Sequence, residues 1–133
     1  MESANKSLMS GKIPMIFIID DDYAARDSLR ILLECKGFEA QEFASGRAFL
    51  DAGPPADGDC LIIDMHMPGM SGLELLERLR RNGYMLPSIL ITGSLDAATL
   101  NRARAAGVPR VVEKPYQVED ILDQVRLALG RGC

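Results

Sequence analysis

Five short apolar runs alternate with five amphipathic stretches along this chain, and a glycine stands just past each amphipathic stretch: Gly37, Gly53, Gly83, Gly107 and Gly130. The apolar runs are too short for buried helices. The amphipathic stretches repeat at helical spacing and end where a left-handed cap residue is needed. The pattern predicts strands near 14–20, 38–43, 59–64, 87–92 and 110–113, with helices near 22–36, 45–52, 72–82, 95–106 and 117–129. Strands that alternate with helices form βαβ units, so the fold class is α/β with a parallel sheet covered on both faces. The third helix has the clearest start, because Ser71-Gly-Leu-Glu74 is a capping box. Within it Leu73, Leu75, Leu76 and Leu79 form the apolar stripe, and Glu74, Glu77, Arg78, Arg80 and Arg81 are expected toward water.

The strand ends narrow the function. Met15-Ile-Phe-Ile-Ile19 runs into Asp20-Asp21-Asp22, and Cys60-Leu-Ile-Ile63 ends in Asp64. Ser88-Ile-Leu-Ile91 runs into Thr92, and Arg110-Val-Val-Glu113 into Lys114. Ligands of open α/β sheets bind outside the carboxyl ends of the strands, so these groups converge on one rim. Acids after strands one and three suit a doubly wound, flavodoxin-like (βα)5 sheet of order 2-1-3-4-5, in which those strands flank the switch-point crevice.

Clustered carboxylates with no cysteine or histidine cluster beside them call for a hard divalent cation. Mg2+ suits them, since it takes one or two carboxylates and completes its shell with water and phosphate oxygens. Lys114 supplies a point charge for a phosphoryl group. A carboxylate such as Asp64 can be the nucleophile that forms an aspartyl-phosphate. The bland reading of Asp22 is a helix cap, and that reading is preferred for it. No G-x-x-x-x-G-K-[ST] or G-x-G-x-x-G follows the first strand, which argues against a P-loop or a dinucleotide fold. The single histidine, His66, rules out a zinc site built on histidine pairs and counts against a Ser-His-Asp triad. The rival class is a Mg2+-dependent α/β phosphohydrolase acting on an external phosphoester.

With 133 residues there is room for one domain, placed at 13–130, after a flexible segment 1–12 and before a tail 131–133. Pro54-Pro55 with Asp57, Gly58 and Asp59 reads as the loop into the third strand. The net charge of −4 argues against direct nucleic-acid binding by this domain. Cys35, Cys60 and Cys133 are odd in number and far apart, which favours reduced thiols and a cytoplasmic location. The polar start and the short apolar run after it make neither a signal peptide nor a membrane span.

Taken together, Ile-Ile-Asp20-Asp21-Asp22, Asp64-Met-His-Met-Pro68-Gly-Met-Ser-Gly72, Ile-Thr92-Gly93 and Glu-Lys114-Pro115-Tyr116 resemble, in order and spacing, the receiver domains of two-component response regulators. The resemblance covers Pro14 to Leu129. It implies that Asp64 accepts a phosphoryl group from a sensor histidine kinase or phosphotransfer protein. It also implies that Asp20, Asp21 and Asp64 hold Mg2+ with the backbone carbonyl of His66. Lys114 would contact the phosphoryl oxygens, the Thr92 hydroxyl would swing toward them, and Gly93 would leave room for the donor.

The chain would then be a phosphorelay switch, no enzyme on external substrates, although it would assist its own phosphorylation and dephosphorylation. In the family the face built from the fourth helix, fifth strand and fifth helix carries the signal to an output domain or downstream protein, or into a phosphorylation-dependent homodimer. Here that face would carry Asn101, Arg102 and Arg104 opposite Glu119, Asp120 and Asp123. The Thr92-Gly93 and Glu113-Lys114-Pro115 segments resemble those of receivers joined to helix-turn-helix output domains. Val111 departs from the pattern, because many receivers place a Tyr or Phe there. His66 and Ser94 occupy positions that vary in the family and tune phosphoryl lifetime.

Overall fold

The computed structural model describes residues 13–53, 60–108 and 110–130. The expected segment 1–12, the 54–59 part of the loop into the third strand, and the tail 131–133 with Cys133 lie outside the described residues. The elements follow in strict alternation: β1 (Met15–Ile19), α1 (Tyr23–Cys35), β2 (Glu39–Phe43), α2 (Gly46–Asp51), β3 (Cys60–Asp64), α3 (Gly72–Arg81), β4 (Ser88–Thr92), α4 (Ala97–Ala105), β5 (Arg110–Glu113) and α5 (Val118–Ala128). All strand pairs are parallel and the order is β2-β1-β3-β4-β5, the doubly wound arrangement expected from the sequence.

The period of two along each strand divides the core between the two faces of the sheet. Leu61 and Ile63 of β3, with Ile19 and Leu90, pack against Phe49 of α2, Leu73, Leu76 and Leu79 of α3, and Ala103 of α4. Cys60 and Ile62, with Ile16, Ile18, Ile89 and Ile91, pack against Leu29 and Leu33 of α1 and Ile121, Leu122 and Val125 of α5. Every residue of β3 and β4 is buried, as inner strands of a parallel sheet with two covered faces require. At roughly 1.5–3 kcal/mol for each large apolar side chain removed from water, these two clusters are the main stabilising term.

Side-chain caps fix most helix starts. Asp22 accepts from the backbone N–H groups of Ala24 and Ala25, Ser45 from Ala48, and Asp96 from Thr99. At α3 both halves of the capping box form. The five glycines past the helices all have positive φ. Asp22 is therefore the cap that the sequence suggested.

Arg80 is a correction: it does not point to water. Its Nε donates to the Ala106 carbonyl at 3.1 Å and its Nη1 to the Tyr84 carbonyl at 3.1 Å, tying the end of α3 to the end of α4. Partial burial pushes its pKa below the usual guanidinium value. Arg102, exposed on α4, pairs its guanidinium with Glu77 of α3 at 3.6 Å. Cys35 is exposed on α1, and Cys60 is buried in β3.

Gly72 decides how closely α3 approaches the end of β3. A Cβ there would sit 2.3 Å from the Asp64 carbonyl oxygen and 2.7 Å from Ile63 Cγ2, both closer than van der Waals contact allows. At Gly93 an added Cβ would meet nothing within 4 Å. Gly72→Ala should therefore lower stability by about 1–3 kcal/mol, the usual cost of overpacking. Gly93→Ala should stay near wild type. Urea unfolding of the two variants tests this, and equal midpoints would contradict the close approach.

Candidate functional site

Sheet register aligns the strand ends. Ile19 of β1 pairs with Ile63 of β3, so Asp20 and Asp64 leave adjacent strands at the same height. Asp64 pairs with Ile91, and Thr92 with Glu113, so Thr92 and Lys114 follow one step later on β4 and β5. Backbone hydrogen bonds continue past the strand ends, from Met65 N–H to the Ile91 carbonyl at 2.7 Å and from Lys114 N–H to the Thr92 carbonyl at 2.8 Å. The rim is thus held by the sheet itself.

On it, ligand oxygens of Asp20, Asp21 and Asp64 all lie within 4.8 Å of one another. Asp20 and Asp64 are only 3% and 4% exposed, while Asp21 faces solvent. Lys114 Nζ lies 3.4 Å from Asp64 Oδ1, and the backbone N–H of His66 donates to that oxygen at 3.3 Å. Asp20 Oδ1 accepts from the Asp22 N–H at 2.9 Å. Burial, more than any other cause, raises the Asp20 carboxyl to about 6; the Asp22 N–H opposes the rise and the neighbouring Asp64 charge adds to it. Tyr116 senses the same acids: burial first, then the charges of Asp20 and Asp64, push its hydroxyl above the usual value.

The donor set is all oxygen and carries more negative charge than Lys114 alone can balance. It therefore fits a hard divalent cation such as Mg2+, which takes few carboxylates and keeps several waters. Carboxylates held in this way are also suited to nucleophilic attack on phosphorus next to a fixed ammonium.

Thr92 is fully buried, and its hydroxyl faces the loop toward α4. It donates to the Ser94 carbonyl at 3.1 Å, accepts from the Ser94 N–H at 3.1 Å, and lies 3.4 Å from His66 Nε2. The same loop is tied to β5 by the Leu95 N–H, which reaches Glu113 Oε2 at 3.4 Å. The structure thus gathers every side chain that the sequence placed on the rim. It adds three contacts that the sequence did not reveal: the His66 ring on Thr92, Glu113 on the loop, and Tyr116 in the field of the acids. Tyr116 lay inside the Glu-Lys-Pro-Tyr motif, the only signal that could have found it.

Residues 16–126 match the family model of the response regulator receiver domain, and the chain belongs to this family. It is 42% identical over 118 residues to the transcriptional regulatory protein FixJ of Azorhizobium caulinodans, covering 89% of this chain and 56% of that protein. It is 38% identical over 122 residues to the response regulator protein TmoT of Ectopseudomonas mendocina, covering 91% of this chain and 55% of that one. The chain thus spans about half the length of these curated relatives. The crystal structure of FixJ-N superposes with a TM-score of 0.81 at 33% identity, covering 92% of this chain and 98% of that one.

The chain is accordingly a phosphoacceptor signalling module of the two-component type, and the hydrolase alternative finds no support in these matches. Receiver domains generally hold Mg2+ at an acidic pocket, and Asp20, Asp21 and Asp64 form an acidic cluster at the strand ends here. No helix among the described residues is long and apolar enough to cross a membrane.

The raised Asp20 pKa has a defined sign. A carboxyl that folding raises from 3.8 to about 6 favours the folded state at low pH, and that contribution is lost as pH rises through about 6. In metal-free buffer, the stability of wild type relative to Asp20→Asn should fall between about pH 4 and pH 6 and then level off. Thermal unfolding of both proteins across this range is the measurement, and a flat difference would show that Asp20 is not destabilised by its site.

Proposed function

We propose that Asp64 is the phosphoacceptor of this receiver domain, which comprises residues 13–130, and that Asp20, Asp21, Asp64 and the His66 backbone carbonyl hold Mg2+. The observation that carries this reading is the convergence of three carboxylates within 4.8 Å of one another, with Lys114 Nζ 3.4 Å from Asp64 Oδ1. The Asp64 carboxylate attacks the phosphorus of a phosphohistidine on a sensor kinase or phosphotransfer protein. The P–N bond breaks as the acyl phosphate forms, and the imidazole leaves. Bound Mg2+ would offset charge on the phosphoryl oxygens, as Lys114 does from the side of β5. Thr92 then turns its hydroxyl to the new acceptor, a charged hydrogen bond worth roughly 1.5–3 kcal/mol, and draws the loop to α4 inward.

The signal leaves through α4, β5 and α5. Asn101 and Arg104 are exposed on α4, and Glu119, Asp120 and Asp123 on α5. That mixture of charge suits a phosphorylation-dependent homodimer or docking to an output segment. Relatives named as transcriptional regulators, matched over about half their length, support a DNA-binding output outside the receiver domain and a cytoplasmic setting. In this reading the domain assists the phosphorylation and dephosphorylation of its own aspartate and turns over no external substrate.

With acetyl phosphate and Mg2+, intact mass should rise by one phosphoryl group in wild type and not in Asp64→Asn. Persistence of the gain in that variant would refute the assignment. Calorimetric titration with Mg2+ separates the acids further: Asp21→Asn should weaken binding by an order of magnitude or more, since it removes a charge and a ligand position. Asp22→Asn, which only loses a helix cap, should bind nearly as wild type.

A further inference from the structure

We propose that the His66 imidazole is a positioning residue that holds the Thr92 hydroxyl in its resting orientation and so opposes the phosphorylated state. The proposal rests on the reading of Asp64 as phosphoacceptor. A hydroxyl has one proton to give and two lone pairs to receive. In Thr92 all three directions are taken: the proton goes to the Ser94 carbonyl, one lone pair receives the Ser94 N–H, and the other faces His66 Nε2. With the hydroxyl proton on the Ser94 carbonyl, the Nε2–H tautomer of His66 is the one that completes the contact, Nε2 donating to Oγ1. The hydroxyl cannot donate to a phosphoryl oxygen on Asp64 until it abandons Ser94, and turning away also breaks its contact with His66.

The Ser94 contacts are made by its backbone carbonyl and N–H, which no side-chain substitution at Ser94 removes. The His66 contact spans two loops, between β3 and α3 and between β4 and α4, and is the part that a side-chain change removes cleanly. The same residue donates its backbone N–H to Asp64 Oδ1 at 3.3 Å, so one loop position touches both the acceptor carboxylate and the hydroxyl that must answer it. His66 is exposed, so its substitution leaves the core intact.

The test is a double-mutant cycle on the full chain, with beryllofluoride plus Mg2+ as the phosphoryl mimic and equilibrium affinity as the readout. His66→Phe should bind the mimic about two- to fivefold tighter than wild type, the size of one long hydrogen bond released. In the Thr92→Val background the same change should have no effect, because no hydroxyl remains to be held. Equal tightening in both backgrounds would mean that His66 acts on Asp64 or on access to the site, and would overturn the proposal. No change, or weaker binding, in the first comparison would overturn it as well. Failure of the wild type to bind the mimic, or binding that survives Asp64→Asn, would refute the phosphoacceptor reading itself, a result separable from either of these.

Discussion

Parallel pairing of β3 between β1 and β4 is the constraint on which everything else depends. Ile63 lies beside Ile19, and Asp64 beside Ile91, so the chain must leave all three strands at one level. A slip of one residue would send Leu61 and Ile63 to the α1 and α5 side and exchange the two apolar clusters. The buried side chains on both faces therefore fix the register, and the register brings the acids together. No interaction among the site residues themselves is strong enough to do this, since carboxylates this close repel one another. The core supplies the free energy that the site consumes, as the raised Asp20 carboxyl shows.

The alternation of elements, the helix caps and the rim residues were legible in the sequence because each is written locally: in the period of the apolar residues, in Ser71 and Glu74, or in a charged residue just past an apolar run. The strand order followed from the placement of acids after strands one and three, a topological argument that the observed sheet bears out. What could not be read were contacts between segments far apart in the chain. Arg80 looked like a solvent residue on an amphipathic helix, yet it meets a carbonyl 26 positions away. His66 and Thr92 are also 26 positions apart. Nothing in a periodic pattern indicates that a helix end will offer a free carbonyl to a particular guanidinium.

The position of Val111 gains meaning from the fold. Its side chain is partly buried against the cluster beneath α2, α3 and α4, so β5 offers α4 a small aliphatic surface where many receivers place an aromatic ring. At its N-terminal end α4 is joined to the site through the Ser94 loop, where Thr92 hydrogen-bonds Ser94 and Glu113 ties Leu95. At its other end the helix is held by Arg80 on the Ala106 carbonyl and by the Glu77 to Arg102 pair. Both ends of α4 are thus tied to neighbouring elements.

Ala103 is the one fully buried residue of α4, whereas α3 buries Gly72 and four leucines. The two helices therefore tolerate substitution differently. Substitutions on α3 meet the core and the close approach of Gly72 to Asp64. On α4 most side chains lie outside the core, so a substitution there costs the fold less than the same change on α3.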